Sequence, residues 1–297
     1  MTSIGNEGRC FIVEIDPLNP DVVAAAVRRA LEEDRAFEDV TSLATVSTEL
    51  TGRAIFVAKQ AGVAAGFPVA AETFQQVDGR VQFEQRCAEG EAFEAGATLA
   101  VASGPVRALL QAERTSLNFV QRLSATATLT RRYVQAVAGT NAVILDTRKT
   151  TPGLRDLEKY AVRCGGGTNH RRDLAVMAMI KDNHREALAR EGRSLADGVA
   201  AIRALRPGTP VEVEIDTLEQ LQSALEGEPE WILLDNMSTS DMAEAVRVVA
   251  GRAKLEASGG ITLETVQQIA ETGVDAISVG ALTHSATALD IGLDLEF

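Results

Sequence analysis

The spacing of apolar residues follows two grammars that meet near residue 140. Upstream, Asn19-Pro20 reads as an N-cap with proline at the first helical position. Val23, Ala26, Val27, Ala30 and Leu31 then share one stripe, which predicts a helix ending near residue 33. Residues 53–58 and 98–102 predict strands, and residues 81–86 (VQFEQR) alternate as a half-buried strand does. Residues 62–66 read as a Gly-punctuated strand or loop, and residues 68–77 as a short helix. From Pro105 the spacing turns helical. Leu109, Leu110, Leu117, Phe119, Val120 and Leu123 supply the apolar face, and Arg114, Asn118 and Arg122 share a polar one. A separate helix is predicted over residues 128–137, stopping at Gly139. Helices on a small antiparallel sheet are the expectation for this part.

After residue 140, short apolar runs alternate with helical stretches. The predicted strands are residues 142–145, 177–180, 211–215, 231–234, 254–257 and 276–279. Thr217-Leu218-Glu219-Gln220 fits a capping box, Ser238–Ser240 precede a helical run, and Thr262 is expected to open a helix that stops at Gly273. Repeated strand–helix units imply an α/β fold with a parallel sheet, closed or partly closed into a barrel. Six strands are clear, and a seventh, short one is expected near residues 161–168.

Composition narrows the function classes. The 297 residues can bury a large core, in one large domain or two ordinary ones. A net charge of −13 argues against nucleic acid, which needs a broad basic surface. The three cysteines, Cys10, Cys87 and Cys164, form no CxxC pair, so neither zinc ribbon nor disulfide framework is expected. The opening MTSIGNEGRC has no long apolar core, and no run approaches the length that crosses a bilayer. A soluble cytoplasmic protein is the expectation.

Against that acidic background one stretch stands out. Between Asp146 and Arg172, seven Lys/Arg face three Asp/Glu, a local balance of +4. A cationic island beside apolar runs and glycines suggests a site for a small, highly charged anion.

Every clear strand ends in polar or glycine groups: Asp146–Lys149, Lys181–Asn183, Glu214 with Asp216, Asp235-Asn236, Ser258-Gly259-Gly260 and Gly280. Sites on parallel barrels sit at the carboxyl ends of the strands, so these groups form a candidate ring of ligands. Arg148, Lys149, Arg171 and Lys181 suit carboxylate or phosphate. Glu214 and Asp235 suit ribose hydroxyls, or Mg²⁺ held largely through substrate phosphates. Period-2 alternation puts Glu212, Glu214 and Asp216 on one strand face. Ser258–Gly260 before a helix, with Gly280 one strand later, can cradle a phosphate. His170, within GGGTNHRR, is a candidate ligand contact. His284 is balanced between roles, His184 reads as structural, and Cys164 as a small buried residue.

The residues resemble a known family. DTRKTTPG at 146–153, EKYAV at 158–162, Gly165–Gly167, Asn169-His170-Arg171 and IKDNH at 180–184 look like quinolinate phosphoribosyltransferase. Glu113-Arg114-Thr115, Glu212–Glu214, Leu233–Asn236, Ala257–Gly260 and residues 279–293 extend the likeness over nearly the whole chain. The resemblance implies that quinolinate and phosphoribosyl pyrophosphate give nicotinate mononucleotide, pyrophosphate and CO₂, with Mg²⁺, in de novo NAD synthesis. It implies an N-terminal α/β sandwich (residues 1–116, joined by the tail 286–297) and a C-terminal open α/β barrel of about seven strands (117–285). It also implies a homodimer, or higher homo-oligomer, with shared sites. By position, Arg114 would enter the neighbouring subunit's site, Arg148, His170 and Arg171 would meet the quinolinate carboxylates, and Thr147 would also contact substrate. Lys149 and Lys181 would lie between the substrates as catalytic groups. Glu214 and Asp235, also catalytic, would hold ribose and Mg²⁺. Ser258, Gly259, Gly260 and Gly280 would take the 5′-phosphate, and His284 would contact substrate. After Asn-His-Arg the family commonly continues Met-Gly-Leu, whereas this chain has Arg172-Asp173-Leu174, which suggests a local salt bridge.

Three rivals remain open on the sequence. One is a paralogous phosphoribosyltransferase taking another ring, such as the family's molybdenum-associated members. Another is a Schiff-base barrel lyase using Lys149 or Lys181. The third is a non-catalytic sugar-phosphate sensor.

Overall fold

The computed structural model describes residues 15–297, so the readings on the first residues, including Cys10, lie outside the described residues. Helix Pro20–Glu33 starts at the expected cap, with Asn19 Oδ1 accepting from Asp21 N at 2.9 Å. Its Val23, Ala26, Val27 and Leu31 stripe is buried against the neighbouring helices.

Four antiparallel strands make the first sheet, in the order Ile291–Glu296, Thr51–Ala58, Thr98–Pro105, Gln82–Gln85. The outermost strand comes from the far end of the chain, pairing from Ala58↔Ile291 to Arg53↔Glu296. Phe56 anchors the core beneath this sheet, edge-on to Phe67, Phe74 and Phe83 at centroid distances of 6.1, 6.1 and 5.9 Å.

The two helices expected after Pro105 are one, Val106–Ala136. In the Ser/Thr-rich run at residues 124–130, the Thr128 and Thr130 hydroxyls turn back onto helix carbonyls, whereas Thr126 Oγ1 is buried with no partner among the described residues. Thr128 Oγ1 donates to Ser124 O at 2.7 Å, and Thr130 Oγ1 to Thr126 O at 2.8 Å. Ser124 Oγ also receives Ala65 N at 3.1 Å. The helix therefore runs unbroken from the first sheet to the barrel, and residues 116 and 117 lie within it.

The second sheet has six parallel strands in the order Val143–Leu145, Ala276–Ser278, Lys254–Ser258, Trp231–Asp235, Val211–Ile215, Ala178–Ile180. The seventh strand shrinks to one parallel bridge between Leu145 and Thr168. Residues before it form the helix Arg155–Cys164 instead. The Gly triplet serves close packing: a Cβ on Gly165 would stand 2.5 Å from Ala127 O of the long helix. Val211, Val213 and Ile215 join the apolar core. Arg171 NH1 donates to Met177 O at 3.0 Å, bracing the connection that leads into Ala178–Ile180.

Two cap readings change. The helix expected from Thr262 begins only at Val266 and is short, Val266–Ala270. Thr217 precedes a 3-10 turn without a side-chain cap, since Gln220 Oε1 accepts from Asp216 N at 3.0 Å. Ser238 does cap its helix, accepting from Asp241 N at 3.1 Å. Among the described residues, no helix is long and apolar enough to cross a membrane.

Candidate active site

The strand-end residues converge at the carboxyl mouth of the six-stranded sheet. Its first component is a buried brace. Asp146, which follows Val143–Leu145, is fully buried and paired with Lys159. It also accepts from Asn169 Nδ2 at 2.6 Å and His170 N at 2.9 Å. Burial pushes the Asp146 carboxyl up and the Lys159 ammonium down, and their mutual attraction opposes both shifts. The brace fixes the start of the segment that carries His170 and Arg171.

The cationic island divides into structural and free charges. Lys159 serves Asp146. Arg163 pairs with Asp16 at 2.8 Å. Arg172 binds Asp156 twice, at 2.7 and 2.8 Å, and touches Asp173 at 3.2 Å. The expected local Arg172–Asp173 pair is therefore secondary to a bidentate bond with the neighbouring helix. Arg155 joins two loops, donating to Thr150 Oγ1 at 3.1 Å, Arg148 O at 3.4 Å and Arg172 O at 3.2 Å. Arg148, Lys149 and Arg171 remain without a carboxylate partner within ion-pair reach among the described residues. Arg148 Nε is buried with no acceptor. Burial, then the nearby Arg148 charge, lower the Arg171 pKa. Two guanidiniums this close favour an anion between them.

His170 lies below these arginines. Its Nε2 is 3.2 Å from Glu212 Oε2 and 3.1 Å from Glu256 Oε2. One N–H cannot point at both, and these are ion-pair contacts. Burial disfavours the imidazolium, but the two carboxylates outweigh it and raise the His170 pKa to about 9. Burial, aided by Glu256, raises Glu212 to about 7 despite the opposing His170 contact. The three side chains offer ligand atoms within 4.8 Å of one another, a spacing that also suits a cation.

The sugar side forms next to it. Lys181 Nζ donates to Glu214 Oε2 at 2.7 Å, joining the ends of adjacent strands. The Asp235 carboxyl is pushed up, first by burial and then by the Glu214 charge. Two repelling carboxylates on paired strands are a hard oxygen donor set that fits Mg²⁺. Asp216, expected to share their face, instead lies past the strand end, exposed and 3.3 Å from Arg185 NH2.

Gly259 and Gly260 both adopt positive φ, and a Cβ on Gly259 would come within 2.2 Å of Asn236 Oδ1. With the following helix starting only at Val266, its N-terminus does not abut these glycines. Ser258 is half-buried, and Ser258 O receives Asn236 N at 2.9 Å. A Cβ on Gly280 would meet His284 Nε2 at 3.0 Å and Lys149 Cδ at 3.1 Å, so these three are neighbours. Thr147 Oγ1 accepts from Lys149 N at 3.0 Å. His284 Nδ1 is 2.7 Å from Ser285 Oγ.

Arg114 stands apart. It is exposed on the long helix, without hydrogen bond or ion pair among the described residues. It borders a cavity of about 340 Å³ shared with Asn118, Arg122, Thr151 and Leu154. Arg122 is not a solvated edge: it donates to Ala286 O at 3.0 Å and Glu158 Oε1 at 3.2 Å. His184 is structural, its Nδ1 receiving Lys181 N at 3.0 Å. Cys164 is buried, and burial raises its thiol pKa.

Models of the quinolinate phosphoribosyl transferase N-terminal and C-terminal domains match residues 39–124 and 126–294. The chain belongs to the quinolinate phosphoribosyltransferase family. It is 46% identical over 283 residues to a nicotinate-nucleotide pyrophosphorylase [carboxylating] of Mycobacterium leprae, covering 93% of this chain and 98% of that one. A probable nicotinate-nucleotide pyrophosphorylase [carboxylating] of Bacillus subtilis is 42% identical, covering 89% and 90%. The solved nicotinate-nucleotide pyrophosphorylase of Francisella tularensis superposes with a TM-score of 0.88 at 36% identity, covering 96% and 99%. Family membership accords with the N-terminal domain and α/β barrel expected from the sequence.

Sequence reasoning missed Glu256 and the bracing roles of Asp146, Lys159 and Arg155. Glu256 did leave a signal, a lone acid inside the KLEA strand, where a parallel sheet packs apolar residues.

Proposed function

We propose that the chain catalyses decarboxylating phosphoribosyl transfer, turning quinolinate and phosphoribosyl pyrophosphate into nicotinate mononucleotide, pyrophosphate and CO₂ in NAD biosynthesis. The observation that carries this is the division of the mouth into two halves. Arg148, His170 and Arg171 form a cationic half suited to two adjacent carboxylates. Lys181, Glu214 and Asp235 form a mixed-charge half suited to a ribose and its diphosphate.

Loss of pyrophosphate builds positive charge at the anomeric carbon, which Glu214 and Asp235 stabilise. The pyridine nitrogen forms the new C–N bond as the C–O bond to pyrophosphate breaks. The resulting pyridinium takes up the electron pair released when the adjacent carboxylate leaves as CO₂, and a proton replaces it on the ring carbon. No covalent nucleophile is needed; positioning and charge complementarity do the work. Lys149, between the halves, and Lys181, within the ribose half, neutralise phosphate or carboxylate oxygens. Mg²⁺, with Glu214 and Asp235 in reach, would neutralise the leaving diphosphate. Ser258, Gly259, Gly260, Gly280 and His284 receive the 5′-phosphate, beside the Lys149 stem.

The chain works as a homodimer in which Arg114 of one subunit completes its partner's cationic half. Its exposure and lack of a local partner among the described residues support this reading. The unpaired thiols of Cys87 and Cys164 suit a reducing cytoplasm.

The test is a single assay with Mg²⁺, phosphoribosyl pyrophosphate and either quinolinate or nicotinate. Mononucleotide and CO₂ from quinolinate are expected. Product from nicotinate with none from quinolinate would overturn the assignment.

A further inference from the structure

Two carboxylates lie under the cationic half of the mouth, where a parallel barrel ordinarily packs branched apolar side chains. Glu212 is on Val211–Ile215 and Glu256 on Lys254–Ser258, with Trp231–Asp235 between them. Glu212 is fully buried and Glu256 is 1% exposed. Among the described residues, neither oxygen of Glu212, nor Glu256 Oε2, has a well-directed hydrogen-bond donor. A buried carboxylate left so is costly unless nearby positive charge offsets it.

That charge comes from one direction. His170 Nε2 stands 3.2 Å from Glu212 and 3.1 Å from Glu256, bridging them from the opposite edge of the sheet. Arg171 also feels both carboxylates, while Arg148 opposes it. Three cations gathered for one dicarboxylate would repel each other before the ligand arrives. Negative charge on the Glu212–Glu256 pair offsets part of that repulsion. His170 is held from a second side as well, because its backbone N–H donates to Asp146 Oδ1 at 2.9 Å. With the backbone pinned and Nε2 committed inward, only the Nδ1 edge of the ring is left for a ligand.

We propose that Glu212 and Glu256 are positioning residues for the dicarboxylate: they hold the His170 ring Nε2-inward, so that its other edge stands with Arg148 and Arg171 against the substrate. They act through His170 and do not touch the substrate themselves. The pair supports the quinolinate half of the site and leaves the ribose half, built on Lys181, Glu214 and Asp235, to its own contacts.

The inference rests on quinolinate being the substrate, and the experiment separates the two. Glu212→Gln and Glu256→Gln keep side-chain size and remove the charge. Each is expected to raise the quinolinate KM about tenfold, with the phosphoribosyl pyrophosphate KM within about twofold of wild type. Glu256→Asp keeps the charge with a shorter reach and is expected to give a smaller rise in the same KM. In ligand-free protein near neutral pH, nitrogen-15 ring spectra of His170 should show a fixed imidazolium, protonated on both ring nitrogens, in the wild type. In both glutamine variants that signature should be lost. Folded variants whose quinolinate KM stays within twofold of wild type, or whose two KM values rise alike, overturn the proposal. If wild-type protein does not turn over quinolinate, the functional reading fails on its own. The ring spectra then still decide the positioning role, and an unchanged His170 signature in both variants overturns it.

Discussion

Lys181 Nζ meets Glu214 Oε2 at 2.7 Å, so the ends of two neighbouring barrel strands are already joined by an ion pair where a sugar is expected to bind. The lysine side chain is 44% exposed, so solvent screens the pair and it adds little to stability, about 0–1 kcal/mol. Its value lies in placing charge for the reaction. Lys181→Ala and Glu214→Ala should each lower kcat/KM by about 10²–10³ while barely moving Tm. The double variant should lose less than the sum of the single losses, because the two side chains share one contact. Additive losses in a double-mutant cycle would refute the coupling.

His170 is predicted to remain charged well above neutral pH. Its folded pKa, raised to about 9, lies above the ordinary 6.5. The sign follows from linkage: the charged contact stabilises the fold fully below pH 6.5, and that contribution is lost as pH rises through about 9. Among the described residues, the charged groups around it are Glu212 and Glu256 at Nε2, Asp146 and Lys159 at its backbone, and the neighbouring Arg171. Thermal midpoints of wild type and His170→Gln, measured from pH 6 to 10, should converge as pH rises. A gap that widens toward pH 10 would contradict this cluster.

Much of this architecture was legible because the barrel strands are short apolar runs ending in charge. Val211–Ile215 and Trp231–Asp235 stand within one residue of their predicted limits. The long helix was not, because Ser124, Thr126, Thr128 and Thr130 interrupt the apolar pattern, and the bonds of Thr128 and Thr130 to helix carbonyls emerge only in the fold. The island 146–172 pointed to the site, yet its excess charge could not say which cations are free. Arg155, Lys159, Arg163 and Arg172 are taken up by contacts 1 to 147 residues away in the chain. Only folding separates them from Arg148, Lys149 and Arg171.

Arg155 is expected to matter for binding more than for folding. Its guanidinium links the loop of Arg148 and Thr150 to the loop of Arg172 through three acceptors. Arg155→Ala should raise the quinolinate KM about tenfold, since small misplacements of binding groups are costly. Arg172→Ala removes a mostly exposed pair with Asp156 and should cost under about 1 kcal/mol of stability. Steady-state kinetics and denaturant midpoints on both variants check the contrast.

Gly259→Ala tests the turn after the fifth strand of the barrel sequence. At φ +97° a side chain is strained, and the new Cβ would sit 2.2 Å from Asn236 Oδ1. Asn236 itself holds positive φ and bonds Asp235 Oδ2 at 2.7 Å, so displacing it moves a ribose-side carboxylate. A loss of about 1–3 kcal/mol in stability and a raised KM for phosphoribosyl pyrophosphate are expected. Unchanged values of both would show that the turn has room to adjust.

Shared sites make a sharper claim about Arg114. If it serves the partner's barrel, Arg114→Ala and Lys181→Ala are each nearly inactive alone, yet complement when mixed. In a hybrid dimer one site loses both residues and the other keeps both. Random exchange of equal amounts makes half the dimers hybrids, so about a quarter of the wild-type rate should return. Exchange must be shown separately, by mass or by tag capture, so that a silent mixture is informative. Hybrids that form without restoring activity would place Arg114 in its own subunit's site or outside catalysis.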